Sequence, residues 1–355
     1  MSITKQGILD ALKQVIFFKK QNNIVDLGMV HELHVTGNQV RISVVFPELA
    51  DPSVAIVVNS INKVLKTEFG NDITVDIKPM SEKELGKGPL AGVKNIIAVI
   101  SGKGGVGKST VAANLAIALS KAGKSVGILD ADIMGPSVPI MLGVEGEKPG
   151  LIERDGKGIM IPLENYGIKI LSIGFFVAAN QALMWRGSMI NNAFNQLMTD
   201  SEWGNLDYLV IDMPPGTGDI QLTLAQSYNI KGTVLVTTPQ KIATADVRRA
   251  AMMYRQEKLV IPLLGIVENM SFFIPDDMPD KKYYIFGRGA TDALASELDI
   301  PVLGRIPIVE KIVETGDNGR PISLDENSPV TRAFSDIASH VMKQVELLDT
   351  VNASN

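Results

Sequence analysis

Five consecutive apolar residues, Ile96 to Ile100, lead into SGKGGVGKST and from there into VAANLAIALSKAG. A run this short and uniformly apolar is a strand covered on both faces. The apolar spacing after Lys108 is helical, and Gly123 closes that helix. Between strand and helix stand Gly102, Gly104, Gly105 and Gly107. A strand that passes through nearly bare backbone into a helix belongs to a parallel sheet with helices packed on it, and few other architectures accommodate it.

Gly102 and Gly107–Lys108–Ser109 satisfy the spacing G-x-x-x-x-G-K-[ST], with the required strand before and helix after. Glycines let backbone N–H groups turn inward around a phosphate without Cβ interference, and the helix N-terminus adds partial positive charge. The expected nucleotide-binding residues are therefore Gly102, Lys103, Gly104, Gly105, Val106, Gly107, Lys108, Ser109 and Thr110. Lys108 is predicted to reach the β- and γ-phosphates of ATP, and Ser109 to place its hydroxyl on Mg²⁺. In LDYLVIDMPPGTGD, four apolar residues precede Asp212, which fits an acid holding Mg²⁺ through water. Pro215 and Gly216 then combine a rigid and a mobile residue, as suits a switch segment, with the Gly216 N–H available to the γ-phosphate.

The rest of the chain organises around this centre. Residues 1–80 read as a small α+β unit: GILDALKQVIFF has helical spacing, VRISVVF alternates as a strand with Val40, Ile42, Val44 and Phe46 on one face, PSVAIVVNSINKVLKTEF is a helix capped by Asp51, and ITVDIKPM is a second strand. Residues 81–95 are polar and glycine-rich and read as a linker. Over 96–348, short apolar strands (SVGILDAD, IKILSIG, LDYLVIDM, GTVLVTT, LLGIVENM) alternate with helical segments, so the expectation is an α/β domain with a mostly parallel sheet and helices on both faces. VTRAFSDIASHVMKQVELL is the closing helix, and 349–355 are expected to be a frayed tail. The chain has 355 residues and no cysteine, which removes disulfides, thiolate catalysis and cysteine-held metals. A net charge of −5 disfavours a broad nucleic-acid surface. No signal-peptide layout and no apolar run of membrane-spanning length is seen, so a cytoplasmic protein without membrane or nucleic-acid partner is expected. His31 and His34 are three apart in an extended segment and point to opposite faces. His340 stands alone on the closing helix.

KGGVGKST resembles the deviant Walker A motif of the MinD/ParA/Mrp group of ATPases. The resemblance implies that the extra lysine, Lys103, reaches across a homodimer to the partner's nucleotide, as an arginine finger does. It also implies that Asp132 orients or activates the attacking water, that Asp130 acts near the Mg²⁺ shell, and that Asn269 contacts adenine. Lys103, Lys108 and Asp132 are thus the expected catalytic set.

DYLVIDMPPGTGD, MWRGSM, DADIMGPSVPIMLG, VENMS, IFGRGA and TGDNGRPI together resemble the Mrp/ApbC family of iron–sulfur cluster carriers, over roughly residues 94 to 345. NIVDLGMVHELHV resembles the small domain, related to SUF-system assembly factors, often fused ahead of it; the Asp-Pro-Glu usual there is replaced by FFKK. Within MWRGSM, Trp185 is read as packing and Arg186 as a dimer or nucleotide-side contact. Family members usually carry Cys-x-x-Cys just after ENMS, where paired chains hold a bridging cluster. Here Pro275 and Met278 take those positions, and the nearby Asp276, Asp277 and Asp280 offer oxygen, which suits hard cations instead. The resemblance implies a dimeric ATPase serving apo iron–sulfur client proteins, with sulfur ligands supplied by partners. Two other readings stay open: a MinD/ParA-type positioning ATPase, and a nucleotide-gated adaptor without catalysis.

Overall fold

The computed structural model describes the chain apart from residues 1–2, 48, 50, 71, 82–89, 134, 155, 177–186, 217, 219, 222, 224–226, 256–260, 276, 279–280 and 355. The chain divides into two units, Met1–Gly88 and Pro89–Asn355.

The first unit contains α1 (Lys5–Leu12), the short strands β1 (Ile16–Phe17) and β2 (Asn22–Asn23), β3 (Val30–Thr36), β4 (Gln39–Phe46), α2 (Pro52–Phe69) and β5 (Thr74–Ser81). β4 lies between β3 and β5, antiparallel to the first and parallel to the second. Val40, Ile42, Val44 and Phe46 are all buried, packed with Ile8, Leu12, Ile61 and Leu65. Asp51 caps α2 by accepting from the Ser53 N–H at 2.9 Å, with Pro52 in the first turn. The helix predicted over 7–18 ends earlier, at Leu12, because Ile16 and Phe17 pair antiparallel with Asn23 and Asn22. A β-branched and an aromatic residue prefer that pairing to another helical turn.

The second unit is built on one eight-stranded sheet. Its strands are β6 (Val93–Ser101), β7 (Val126–Asp130), β10 (Leu163–Asn165), β11 (Ile168–Ser172), β12 (Leu206–Asp212), β13 (Ile230–Thr237), β14 (Leu263–Glu268) and β15 (Val302–Arg305), in the spatial order β10-β11-β7-β12-β6-β13-β14-β15. Every neighbouring pair is parallel except β10 with β11. Alternation along β6 explains the two-sided core. Ile97 and Val99 face the cluster that includes α3 (Lys108–Lys121) and α9 (Pro329–Ser354). Ile96, Ala98 and Ile100 face the cluster that includes α5 (Gly187–Thr199), α6 (Lys241–Tyr254) and α7 (Ala290–Glu297). The short helices α4 (Val138–Met141) and α8 (Glu310–Asp317) complete the α3 side.

Three stretches differ from the sequence-based expectation. β6 begins at Val93, inside the predicted linker, because Val93 and Asn95 pair with Leu206 and Tyr208, and Lys94 forms an ion pair with Asp207 at 2.7 Å. A two-stranded hairpin, β8 (Gly150–Arg154) with β9 (Lys157–Ile161), was not foreseen; the Met160 N–H and C=O bond Asp200 and Glu202 at 2.8 Å each. The expected tail from 349 is instead the last part of α9, which runs to Ser354 and carries an ion pair between Asp349 and Lys231. Among the described residues no helix is long and apolar enough to cross a membrane.

Because α9 is part of the core, truncating its buried Phe334 destabilises the whole unit. Phe334→Ala is expected to cost about 3–5 kcal/mol, read as a lowered urea midpoint at unchanged slope.

Candidate nucleotide-binding site

The loop between β6 and α3 holds its shape through close contacts that only glycine permits. Gly107 has φ +81°, and a Cβ there would lie 2.2 Å from Asn269 Nδ2. At Gly102 a Cβ would lie 2.1 Å from the carbonyl carbon of Asp246, so α6 could not approach. Gly104 and Gly105 face open space, with Gly105 at φ +81°, and Val106 is buried and anchors the loop. Above the loop is a cavity of about 260 Å³ lined by Ser101, Lys103, Gly104, Gly105, Gly107–Thr110, Asp132, Gly135, Ser137, Met141 and Pro215. A larger cleft, about 510 Å³, lies beside Gly92, Arg154 and Glu202 at the opposite ends of the strands. Open parallel sheets bind ligands at their carboxyl ends, and the smaller cavity is there, with the phosphate-type loop.

Lys108 is the charged centre, with a side chain only 6% exposed. Its Nζ lies 2.5 Å from Asp212 Oδ1, 3.3 Å from Ser109 Oγ and 3.6 Å from Asp132 Oδ2. Strand register brings a third carboxylate close, since Asp130 at the end of β7 pairs directly with Asp212 at the end of β12. Both are fully buried. Burial, and after it the charge of Asp212, push the Asp130 carboxyl up to about 8. Burial raises Asp212 as well, against the pull of Lys108. Asp212 Oδ2 is buried with no hydrogen-bond partner. A carboxylate cluster held by one ammonium, with an acceptor oxygen left over, fits a further hard cation. Ser109 and Asp212, with phosphate and water oxygens, supply the donor set Mg²⁺ prefers, which needs no three-carboxylate cage. When bound, the cation supplies charge neutralisation for a polyphosphate.

Several predicted residues bond to neighbouring protein groups. The Asp130 side chain does not line the cavity. Its Oδ1 accepts from the Asp132 N–H at 3.1 Å, and its Oδ2 is bonded to the Val138 N–H at 3.3 Å and the Ser172 hydroxyl at 3.1 Å. In this geometry Asp130, expected near the Mg²⁺ shell, shapes the segment that carries Asp132. Asn269, expected on adenine, donates its amide N–H to the Val106 carbonyl at 2.9 Å and so braces the phosphate loop. The Gly216 N–H, expected to face phosphate, donates to the Ser101 carbonyl at 3.0 Å. Pro215 and Lys103 line the cavity, and Lys103 forms no ion pair among the described residues. Sequence reasoning missed Ser101, Ser172 and Gln221. The first two end strands at the ligand side, which was a usable signal, whereas Gln221 had none. Trp185, Arg186, Asp219, Asp276 and Asp280 lie outside the described residues.

An iron–sulfur cluster does not fit the chain. There is no cysteine, Met278 is 41% exposed with no thiolate near it, and among the described residues no group of three His, Asp or Glu can hold a metal. His31 and His34 are exposed on β3, and His340 Nδ1 bonds the Leu303 carbonyl at 2.7 Å.

A glycine loop between a central parallel strand and its helix, with a buried acid on the adjacent strand gripping the loop lysine, defines a P-loop NTPase. The chain belongs to the family described as NUBPL iron-transfer P-loop NTPases, whose profile matches residues 92–342; residues 5–77 match that of an iron–sulfur cluster assembly protein. The iron–sulfur cluster carrier protein of Synechocystis sp. is 40% identical over 97% of this chain and 99% of its own length. The carrier protein of Escherichia coli is 47% identical over 72% of this chain and 68% of its own length. Among solved structures, a nucleotide-binding protein from Archaeoglobus fulgidus in complex with ADP is 39% identical, with TM-score 0.57, covering 68% of this chain and 92% of that one. The MinC:MinD complex of Aquifex aeolicus, 22% identical with TM-score 0.50 over 70% of this chain and 96% of that one, shares the fold.

The raised Asp130 carboxyl gives stability a pH dependence. Between about pH 4 and about pH 8 the folded state holds a proton that the unfolded chain has released, so stability falls as pH rises through that window. The nucleotide-free protein is expected to melt lower at the upper end of the window than at pH 6, and Asp130→Asn to flatten that slope in a series of thermal melts.

Proposed function

We propose that the chain is a magnesium-dependent ATPase that works as a dimeric switch in iron–sulfur protein maturation, with the cluster's sulfur ligands supplied from outside the chain. The observation that carries the ATPase reading is Lys108 held between Asp212 and Asp132 beside the phosphate loop, with Asp212 Oδ2 unpartnered. An incoming polyphosphate draws Lys108 from Asp212 to its β- and γ-oxygens. Asp212, released from Lys108, would then help to hold Mg²⁺ together with Ser109. Asp132, lining the cavity, orients the water that attacks the γ-phosphorus; the P–O bond to the β-phosphate breaks, and ADP and phosphate leave. Loop amides and Lys108 stabilise the charge on the transferring group. Lys103, which forms no ion pair among the described residues and lines the cavity, suits the neutralisation of a partner's nucleotide.

The maturation role rests on family membership and on relatives named as cluster carriers. A cluster in transit is cargo here, and the ligands that hold it come from a client or another assembly factor.

Lys108→Ala is expected to weaken ATP binding by about a hundredfold or more in nucleotide titration; near-normal affinity would mean the loop is not the site. Lys103→Ala should keep ATP affinity and lose turnover together with ATP-dependent dimerisation, measured by phosphate release and light scattering. Anaerobic reconstitution with iron and sulfide should leave no stoichiometric chromophore on the isolated chain. A stable cluster by absorbance and metal analysis would contradict the external-ligand reading.

A further inference from the structure

Gln221 takes no part in the chemistry described so far, yet it is almost fully buried, 1% exposed, directly behind the turn that follows Asp212. Its Nε2 donates to the Pro214 carbonyl at 2.8 Å and to the Gly216 carbonyl at 3.3 Å, while its Oε1 is buried without a partner. Those two carbonyls belong to the peptide planes on either side of the Pro215–Gly216 peptide. With both flanking planes held, the one between them is the plane left to turn. Gly216 has φ +89°, where residues other than glycine are strained, and a Cβ there would meet nothing within 4 Å, so glycine serves conformation and not space.

The N–H of that free plane donates to the Ser101 carbonyl at 3.0 Å. Ser101, 1% exposed at the end of β6, in turn donates its hydroxyl to the Lys103 carbonyl at 3.0 Å. Hydrogen bonds thus run in series from Gln221 through the Pro214–Gly216 turn and Ser101 to Lys103, which lines the cavity. Pro215 and Ser101 both line the cavity, so a rotation of the peptide between Pro215 and Gly216 takes place at its wall.

We infer that Gln221 is a positioning residue that holds the Pro214–Gly216 turn as a latch, so that the Gly216 N–H exchanges the Ser101 carbonyl for the terminal phosphate of a nucleoside triphosphate. The exchange leaves the Ser101 carbonyl without its donor, on the same residue whose hydroxyl holds the Lys103 carbonyl. A diphosphate has no oxygen to offer at that place, and the latch stays shut. The inference rests on the nucleotide-binding reading above and adds to it the buried residue that positions the switch turn.

The test titrates the full chain with fluorescent ADP and a fluorescent non-hydrolysable ATP analogue in the presence of Mg²⁺, and follows phosphate release. Gln221→Leu, which cannot donate, is expected to keep ADP affinity within about twofold, while the preference for the ATP analogue and kcat both fall about tenfold or more. Gln221→Glu separates positioning from packing. As a carboxylate it faces two carbonyls with no donor; once protonated it donates again, so its deficit relative to the parent should shrink as pH falls from about 8 to about 6. If Gln221→Leu does not fold, the pH course of Gln221→Glu decides. Unchanged discrimination in Gln221→Leu, or a Gln221→Glu deficit that ignores pH, overturns the latch while leaving the nucleotide site intact. Lys108→Ala run alongside keeps the two apart: if it binds like the parent, the site reading itself fails and the latch with it.

Discussion

The buried ion pair between Lys108 and Asp212 organises the second unit. Neither group tolerates the interior alone, since desolvating one charge costs several kcal/mol. Each therefore requires the other to be delivered to the same place. Asp212 arrives there because β12 ends level with β7 and beside Val99 near the end of β6, and Lys108 because the glycine loop turns straight from β6 into α3. The pairing leaves one Asp212 oxygen unpartnered and Asp130 raised beside it. The site is thus short of positive charge as it stands, which is the condition a magnesium–polyphosphate complex meets. A structure fully satisfied without ligand would have little reason to exchange Lys108 for phosphate.

Features set by local sequence were legible before the fold was known. Uninterrupted apolar runs located the parallel strands, and the glycine loop with Lys108 and Ser109 located the ligand end of the sheet. The Asp51-Pro52 pair located the start of α2. Where two segments distant in sequence decide the outcome, the reading stopped short. The N-terminal helix yields to a strand pair at Ile16–Phe17, the β8–β9 hairpin bonds residues 200–202, and α9 runs on past Asp349, which pairs with Lys231. Side-chain employment is less legible still. Asp130, Asn269 and Gly216 each sit beside the cavity where the sequence pointed, yet each bonds to neighbouring protein groups. Their partners Ser172, Val106 and Ser101 lie between 42 and 163 positions away in sequence for the first two, and on the neighbouring strand end for the third.

Family membership and the chain's own chemistry pull apart at one place. The family is named for iron transfer and the relatives for carrying clusters, while this chain has no thiolate at all. In the segment after Asn269, Phe273 exchanges backbone hydrogen bonds with Tyr283 at 2.8 Å each way, and Phe272 packs edge-on against Tyr284. None of that loop's described residues lines the cavity above the phosphate loop, which is built from other segments of the P-loop unit.

The central claim is that a bound triphosphate takes Lys108 from Asp212. A crystal structure of the chain with Mg²⁺ and a non-hydrolysable ATP analogue tests it most directly. The account predicts the phosphates in the glycine loop, Lys108 Nζ on the β- and γ-oxygens, and Asp212 facing metal-bound water. Nucleotide bound elsewhere, or an occupied loop with Lys108 still on Asp212, would contradict it.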